Sequence, residues 1–197
     1  MATQMVQPQM SRDLDAAQVA RYIIARDSER PEPDVTQLKL QKLLYLAQAN
    51  YLAATGYRLF HAPVEAFENG PVVHTVLKEY KSYSRSVIAP DNLAWDAELL
   101  PADAREFVDS VWERYRDWTA SALWSLTHSQ APWRDAYEPG AYRTQISDES
   151  MTCYFRTEVP LDMRVLHHGV VVIDRAVLDD LDDNEDEIVA LAINALR

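Results

Sequence analysis

Glycine is scarce in this chain. The four glycines in 197 residues (Gly56, Gly70, Gly140 and Gly169) stand too far apart for a GxGxxG or GxxxxGK(S/T) loop, so the standard phosphate cradles are excluded. Cysteine is scarcer still: Cys153 alone excludes an internal disulfide, a zinc ribbon and a CxxC redox pair. No apolar run approaches the roughly 20 residues of a membrane helix. The opening MATQMVQPQM also lacks the basic start and apolar centre of a secretory signal. A cytoplasmic protein without membrane contact is expected. Positive charge is short as well, with 19 Lys/Arg against 31 Asp/Glu and a net charge of −12. Contacts to phosphate backbones depend on Lys and Arg, so nucleic acid is not expected as a direct partner.

What is present supports a folded core. Hydrophobic residues make up 48% of the chain and charged residues 25%, which is ordinary globular usage. Residues 1–10 are polar and proline-containing and read as a flexible leader. Leu14, Ala17, Ala20 and Ile24, with Val19 and Ile23 beside them, have helical spacing that stops before Arg30-Pro31. A second helix starts at Thr36, an N-cap flanked by a Val35/Leu40 staple, and ends at Gly56. Its apolar face is expected to be Leu40, Leu43, Leu44, Ala47, Tyr51 and Leu52. Residues 64–68 alternate like a short strand before a turn at Asn69-Gly70-Pro71, and a helix over about 72–83 follows. Pro101 opens a long helix through Phe107, Val111, Trp112 and Trp118. Thr119 caps a shorter one, Pro132-Trp133 starts a turn, and Ser147 opens a helix through Phe155. After Pro160, the runs 163–166 and 170–173 around His167-His168-Gly169 suggest a hairpin, with a helical pattern over 176–196.

Few constellations point to chemistry. None of the five histidines lies in an HExxH motif or is followed by Asp, so no metal centre is expected and the histidines read as structural or surface residues. Asp180, Asp182 and Asn184 open like a calcium loop, but Glu185 stands where glycine is required and Leu191 where a bidentate glutamate is required. This acidic run is either solvated surface or an electrostatic lure for a basic protein. Trp112, Trp118 and Trp124 fit a core face by spacing, whereas Trp95 and Trp133 are candidates for contact residues. Cys153, among apolar neighbours in a predicted helix, reads as a buried thiol.

Three ordered segments carry a family resemblance. They are Leu38-Lys39-Leu40-Gln41-Lys42-Leu43-Leu44-Tyr45-Leu46-Ala47-Gln48, then Val64-Glu65-Ala66-Phe67-Glu68-Asn69-Gly70-Pro71-Val72-Val73, then Leu126-Thr127-His128 with Pro132-Trp133. Together they resemble the Panacea domain of SocA-like antitoxins over about residues 36–156. Leu46 departs from a usual Phe and Phe67 from a usual Trp. The resemblance implies a mainly helical domain that neutralises a cognate protein toxin by direct binding; the best-known relative instead delivers its toxin to a cellular protease. Within the signature, Gln41, Lys42 and Gln48 are expected toward the edge of the packed face. His128 and Trp133 either brace a helix junction or meet the partner. With Asp180, Asp182, Asp183 and Glu185 of the tail, these are the candidate toxin-contacting residues.

The expected architecture is therefore mainly α: a leader (1–10), a compact helical domain with a short extended segment (11–157), and a small acidic α+β appendage (158–197) holding ten Asp/Glu against three Arg. The expected function is that of a non-enzymatic antitoxin without cofactor or metal. The alternatives are a proteolytic adaptor and an enzyme reversing the toxin's product. Autoregulation through DNA is disfavoured, because no basic stripe is visible.

Overall fold

A computed structural model describes residues 13–89, 100–141 and 143–169. The leader, Pro90, Trp95, the expected strand at 170–173, the expected helix over 176–196 and the acidic residues Asp180, Asp182, Asp183 and Glu185 lie outside the described residues.

The architecture is mainly α. The helices are α1 (Ala16–Ser28), α2 (Gln37–Thr55), α3 (His74–Glu79), α4 (Ala102–Tyr115), α5 (Ala120–Ser129), α6 (Ala131–Ala136) and α7 (Asp148–Thr157). A small antiparallel sheet, in the order β2-β1-β3, is made of β1 (Glu65–Phe67), β2 (Gly70–Val72) and β3 (Thr144–Gln145). Local chemistry sets the helix ends. Asp15 accepts a hydrogen bond from the Ala17 backbone N–H and forms a capping box with Gln18 at the start of α1. Thr36, Thr119 and Ser147 cap α2, α5 and α7 in the same way, and Gly56 closes α2 in the left-handed region at φ 77°.

Helix α2 is the axis of the molecule. Every residue from Lys39 to Leu52 is buried, because α1, α4, α5, α7 and the β1–β2 hairpin surround it. The single apolar face expected from the sequence is thus incomplete: this helix is enclosed on all sides, and its polar residues are enclosed with it. Lys39, Gln41, Lys42, Gln48 and Asn50 each take a partner from the surrounding chain, while the Tyr45 hydroxyl and Gln41 Nε2 are buried without one among the described residues. Lys39 Nζ donates to Asp34 Oδ1 at 2.7 Å and to the Arg116 carbonyl at 2.6 Å. Gln48 Oε1 accepts from the backbone N–H groups of Leu59 and Phe60, and its amide donates to the Phe60 carbonyl. Buried polar groups satisfied in this way fix which segment lies against which turn of the helix.

Other differences have simple causes. Pro132-Trp133 falls inside α6 because proline is compatible with a first helical turn. Cys153 is exposed: α7 buries Met151 and Phe155, so the residue between them points outward. Trp112 is buried, but Trp124 is 39% exposed. The interval from Trp118 to Trp124 crosses the break before α5, so helical spacing does not carry one face across it. No strand forms over 163–166. Instead a 3-10 turn at Leu161–Met163 leads the chain back over the core, where Val165 N–H donates to Asn50 Oδ1 and His167 packs on Tyr51 and Phe107.

The link from α1 to α2 hangs on Asp27, which is 1% exposed. It accepts from the Asp34 and Val35 backbone N–H groups at 2.9 and 2.8 Å and pairs with Arg30. Asp27→Ala removes all three at once and is expected to cost about 2–4 kcal/mol in chemical denaturation.

Candidate functional site

The three signature segments meet at the tip of the β1–β2 hairpin. Four backbone carbonyls of this tip face inward, and each is taken by a side chain from another element. Trp133 Nε1 of α6 donates to the Phe67 carbonyl at 2.9 Å, and His128 Nε2 of α5 lies 3.1 Å from the Glu68 carbonyl. Lys42 Nζ of α2 donates to the Asn69 and Pro71 carbonyls at 2.5 and 3.0 Å. One helical position away, Gln41 Oε1 accepts from the Val73 N–H at 2.7 Å. At the base of the hairpin, buried Glu65 is held by Arg143, with its Nε at 2.9 and 3.1 Å from the two carboxylate oxygens. This two-point pairing compensates the burial of the carboxylate.

Gly70 is the hub. Its φ of +94° favours glycine, and a Cβ there would stand 2.6 Å from Lys42 Nζ and 2.8 Å from His128 Cε1. The hairpin therefore lies directly on the lysine and the histidine. Burial pushes the Lys42 ammonium down to about 7, and among the described residues its partners are the two carbonyls, with no carboxylate in ion-pair reach.

An aromatic row flanks the tip. Trp124 stacks on His128 at 3.7 Å, His128 meets Trp133 at 4.0 Å, and Trp133 stacks on Tyr137 at 4.9 Å. His128 Nδ1 lies 2.7 Å from the Trp124 carbonyl, so both ring nitrogens face carbonyl oxygens. Both bonds form together when both nitrogens carry hydrogen.

Of the residues expected to contact a partner, Gln41, Lys42, His128 and Trp133 converge here, while Gln48 serves the Leu59–Phe60 segment further along α2. The expected edge placement of Gln41, Lys42 and Gln48 is corrected: they are 2%, 0% and 1% exposed, because they fasten neighbouring backbone onto an enclosed helix. For His128 and Trp133 the observed contacts brace the junction between α5, α6 and the hairpin. No role was expected for Glu65 with Arg143 or for the exposed Glu68 and Asn69, and Trp124, expected on a core face, is exposed as well. A carboxylate between Val64 and Ala66 in an apolar strand was the available signal for the first; nothing in the spacing reported the second. Among the described residues no group of three His, Cys, Asp or Glu is arranged to hold a metal, and no helix is long and apolar enough to cross a membrane.

Residues 40–134 match the family model described as Antitoxin SocA-like, Panacea domain. Over that stretch the chain is similar to the SocA-like Panacea domain. The matched stretch starts inside α2, includes the hairpin and ends in α6 just after Trp133, so it holds every side chain that fastens the tip. No curated protein and no solved structure matches the chain. An antitoxin role, and in general terms a toxin as partner, is what the description of that family implies.

Two measurements check this junction. Gly70→Ala meets both a strained backbone and occupied space. It is expected to lose at least about 2 kcal/mol more in denaturant than Gly140→Ala, whose Cβ at φ +81° meets nothing within 4 Å. Lys42 binds its proton near 10.5 in the unfolded chain and near 7 in the fold, so between these values the unfolded chain holds more protons and stability rises with pH. Unfolding free energies of wild type minus Lys42→Met should therefore increase from pH 7 to 10, by at most about 1.4 kcal/mol per pH unit.

Proposed function

We propose that this chain is an antitoxin that neutralises a cognate protein toxin by stoichiometric binding, without covalent chemistry. The observation that carries the reading is the convergence of the Panacea signature on the hairpin tip. Its polar side chains are spent on backbone carbonyls and N–H groups, and the product of that arrangement is a rigid surface. A pre-shaped exterior suits recognition, because little ordering entropy is lost on docking.

The acidic tail fits the same function as a charge complement to a basic toxin. Its contribution is tested by truncation after Gly169, since removing residues 158–169 as well would also take Val165 and His167 out of the core.

The test is co-expression with the product of the adjacent gene. A non-toxic complex that co-purifies at fixed stoichiometry, with the bound protein keeping its normal half-life, is the expected result. Protease-dependent disappearance of that product would replace blocking by delivery. Protection at far below one copy per toxin, without association, would replace both by an enzymatic activity.

A further inference from the structure

Between Pro160 and Gly169 the chain returns over the core with few holds. Beyond the 3-10 turn its side chains alternate: Val165 and His167 are 5% and 2% exposed, whereas Leu166 is 54% exposed and His168 is exposed as well. Val165 N–H donates to Asn50 Oδ1 at 3.1 Å. His167 is the larger anchor. Its ring meets Tyr51 of α2 edge-on at 5.6 Å, stacks on Phe107 of α4 at 6.0 Å and stacks on the His168 ring at 4.8 Å. His168 Nδ1 also lies 3.3 Å from Glu106, but both of those side chains are exposed, and an ion pair of that kind adds little.

The surroundings of His167 select its protonation state. Nδ1 accepts from the Gly169 N–H at 3.1 Å, so the hydrogen of the neutral ring sits on Nε2. Nε2 is buried and has no partner among the described residues. A second proton goes onto Nδ1, where it faces the Gly169 N–H and breaks that bond, and it places a charge against Tyr51 and Phe107. Little around the ring compensates such a charge. Helix α2 contributes Tyr51, α4 contributes Phe107 with Asp103 and Glu106 farther off, and the returning segment itself contributes His168. Among the described residues no carboxylate is in ion-pair reach of His167; the nearest ion pair belongs to His168. Burial, and after it the neighbouring His168, push the proton affinity of His167 below the ordinary imidazole value, against a smaller pull from Asp103 and Glu106.

We propose that residues 160–169 form a proton-operated strap, seated on α2 and α4 while the His167 ring is neutral and lifted when that ring takes a second proton. The direction follows from linkage. Lifted, His167 titrates as an ordinary imidazole near 6.5; seated, it holds a second proton less well, so falling pH favours the lifted form. The seat is fully made above about 6.5 and weakens below it. Protonated His168 works the other way through Glu106, but only at the exposed edge of the strap. The acidic run over 179–187 follows the strap in sequence, so lifting also releases the point from which that run is tethered. Neither state requires a bound partner, and the inference stands apart from the antitoxin reading.

The test is amide hydrogen exchange on the full chain, followed by NMR from about pH 7.5 to about pH 5 and expressed as protection relative to an unstructured amide. Val165 is expected to lose protection below about pH 6.5, by up to about tenfold per pH unit, while Leu44 in the middle of α2 keeps its own. His167→Phe keeps a ring but cannot titrate, so its Val165 protection should not depend on pH. His168→Gln should leave the fall in place. Wild-type protection that is constant with pH, a fall that persists in His167→Phe or disappears in His168→Gln, or a parallel loss at Leu44 would each overturn the strap. Should His167→Phe fail to fold, wild type alone decides: the His167 Cε1 and Val165 amide chemical shifts are expected to titrate together with a midpoint below about 6.5. Separate midpoints, or a shared one at or above that value, overturn the proposal.

Discussion

Enclosing helix α2 on every side is the constraint from which the rest of the structure follows. A helix buried all round is ordinarily apolar, yet this one carries Lys39, Gln41, Lys42, Gln48 and Asn50 into the interior. Burying such groups without partners is costly, so segments that would otherwise be surface loops must press their backbone against the helix. The hairpin tip, the Leu59–Phe60 segment, the Arg116 turn and the returning segment through Val165 are each held by one of these polar groups. Register follows as well, since each group sits at a fixed turn of α2 and accepts only the segment whose backbone is aimed at it.

Lys42 shows how finely this balance is set. Desolvation weakens its hold on a proton, while two carbonyls at 2.5 and 3.0 Å reward it for keeping one. The same two carbonyls lie on either side of Gly70, the residue whose missing side chain makes the approach feasible. Histidine and tryptophan complete the arrangement from α5 and α6, so that one short turn of chain is held by three helices at once.

Much of this was readable in advance wherever the signal was local. Thr36, Gly56, Thr119 and Ser147 mark helix ends by chemistry that acts over three or four residues, and the short strand before the Asn69-Gly70-Pro71 turn is equally short-ranged, whereas the second strand, Gly70–Val72, forms where a helix was expected to begin. Burial was less legible. Periodicity reports that a helix has an apolar face, but it is silent on whether a second layer covers the polar one, and so Gln41, Lys42 and Gln48 looked like edge residues. Trp124 and Cys153 failed for related reasons: the first was counted across a helix break, and the second was judged by its neighbours in sequence when a helix turns each neighbour by about 100°. The pairing of Glu65 with Arg143 joins residues far apart along the chain, and no local rule announces it.

The tip is grasped by its main chain: carbonyl oxygens are common to every amino acid, and so the clamp formed by Lys42, His128 and Trp133 is indifferent to what side chains residues 68 and 69 bear. Variation at those two positions leaves the anchoring intact, which separates the part of the molecule that must stay constant from the part free to diversify. A scaffold divided this way can acquire a new opponent through surface substitutions at a loop apex, with no repacking of its interior.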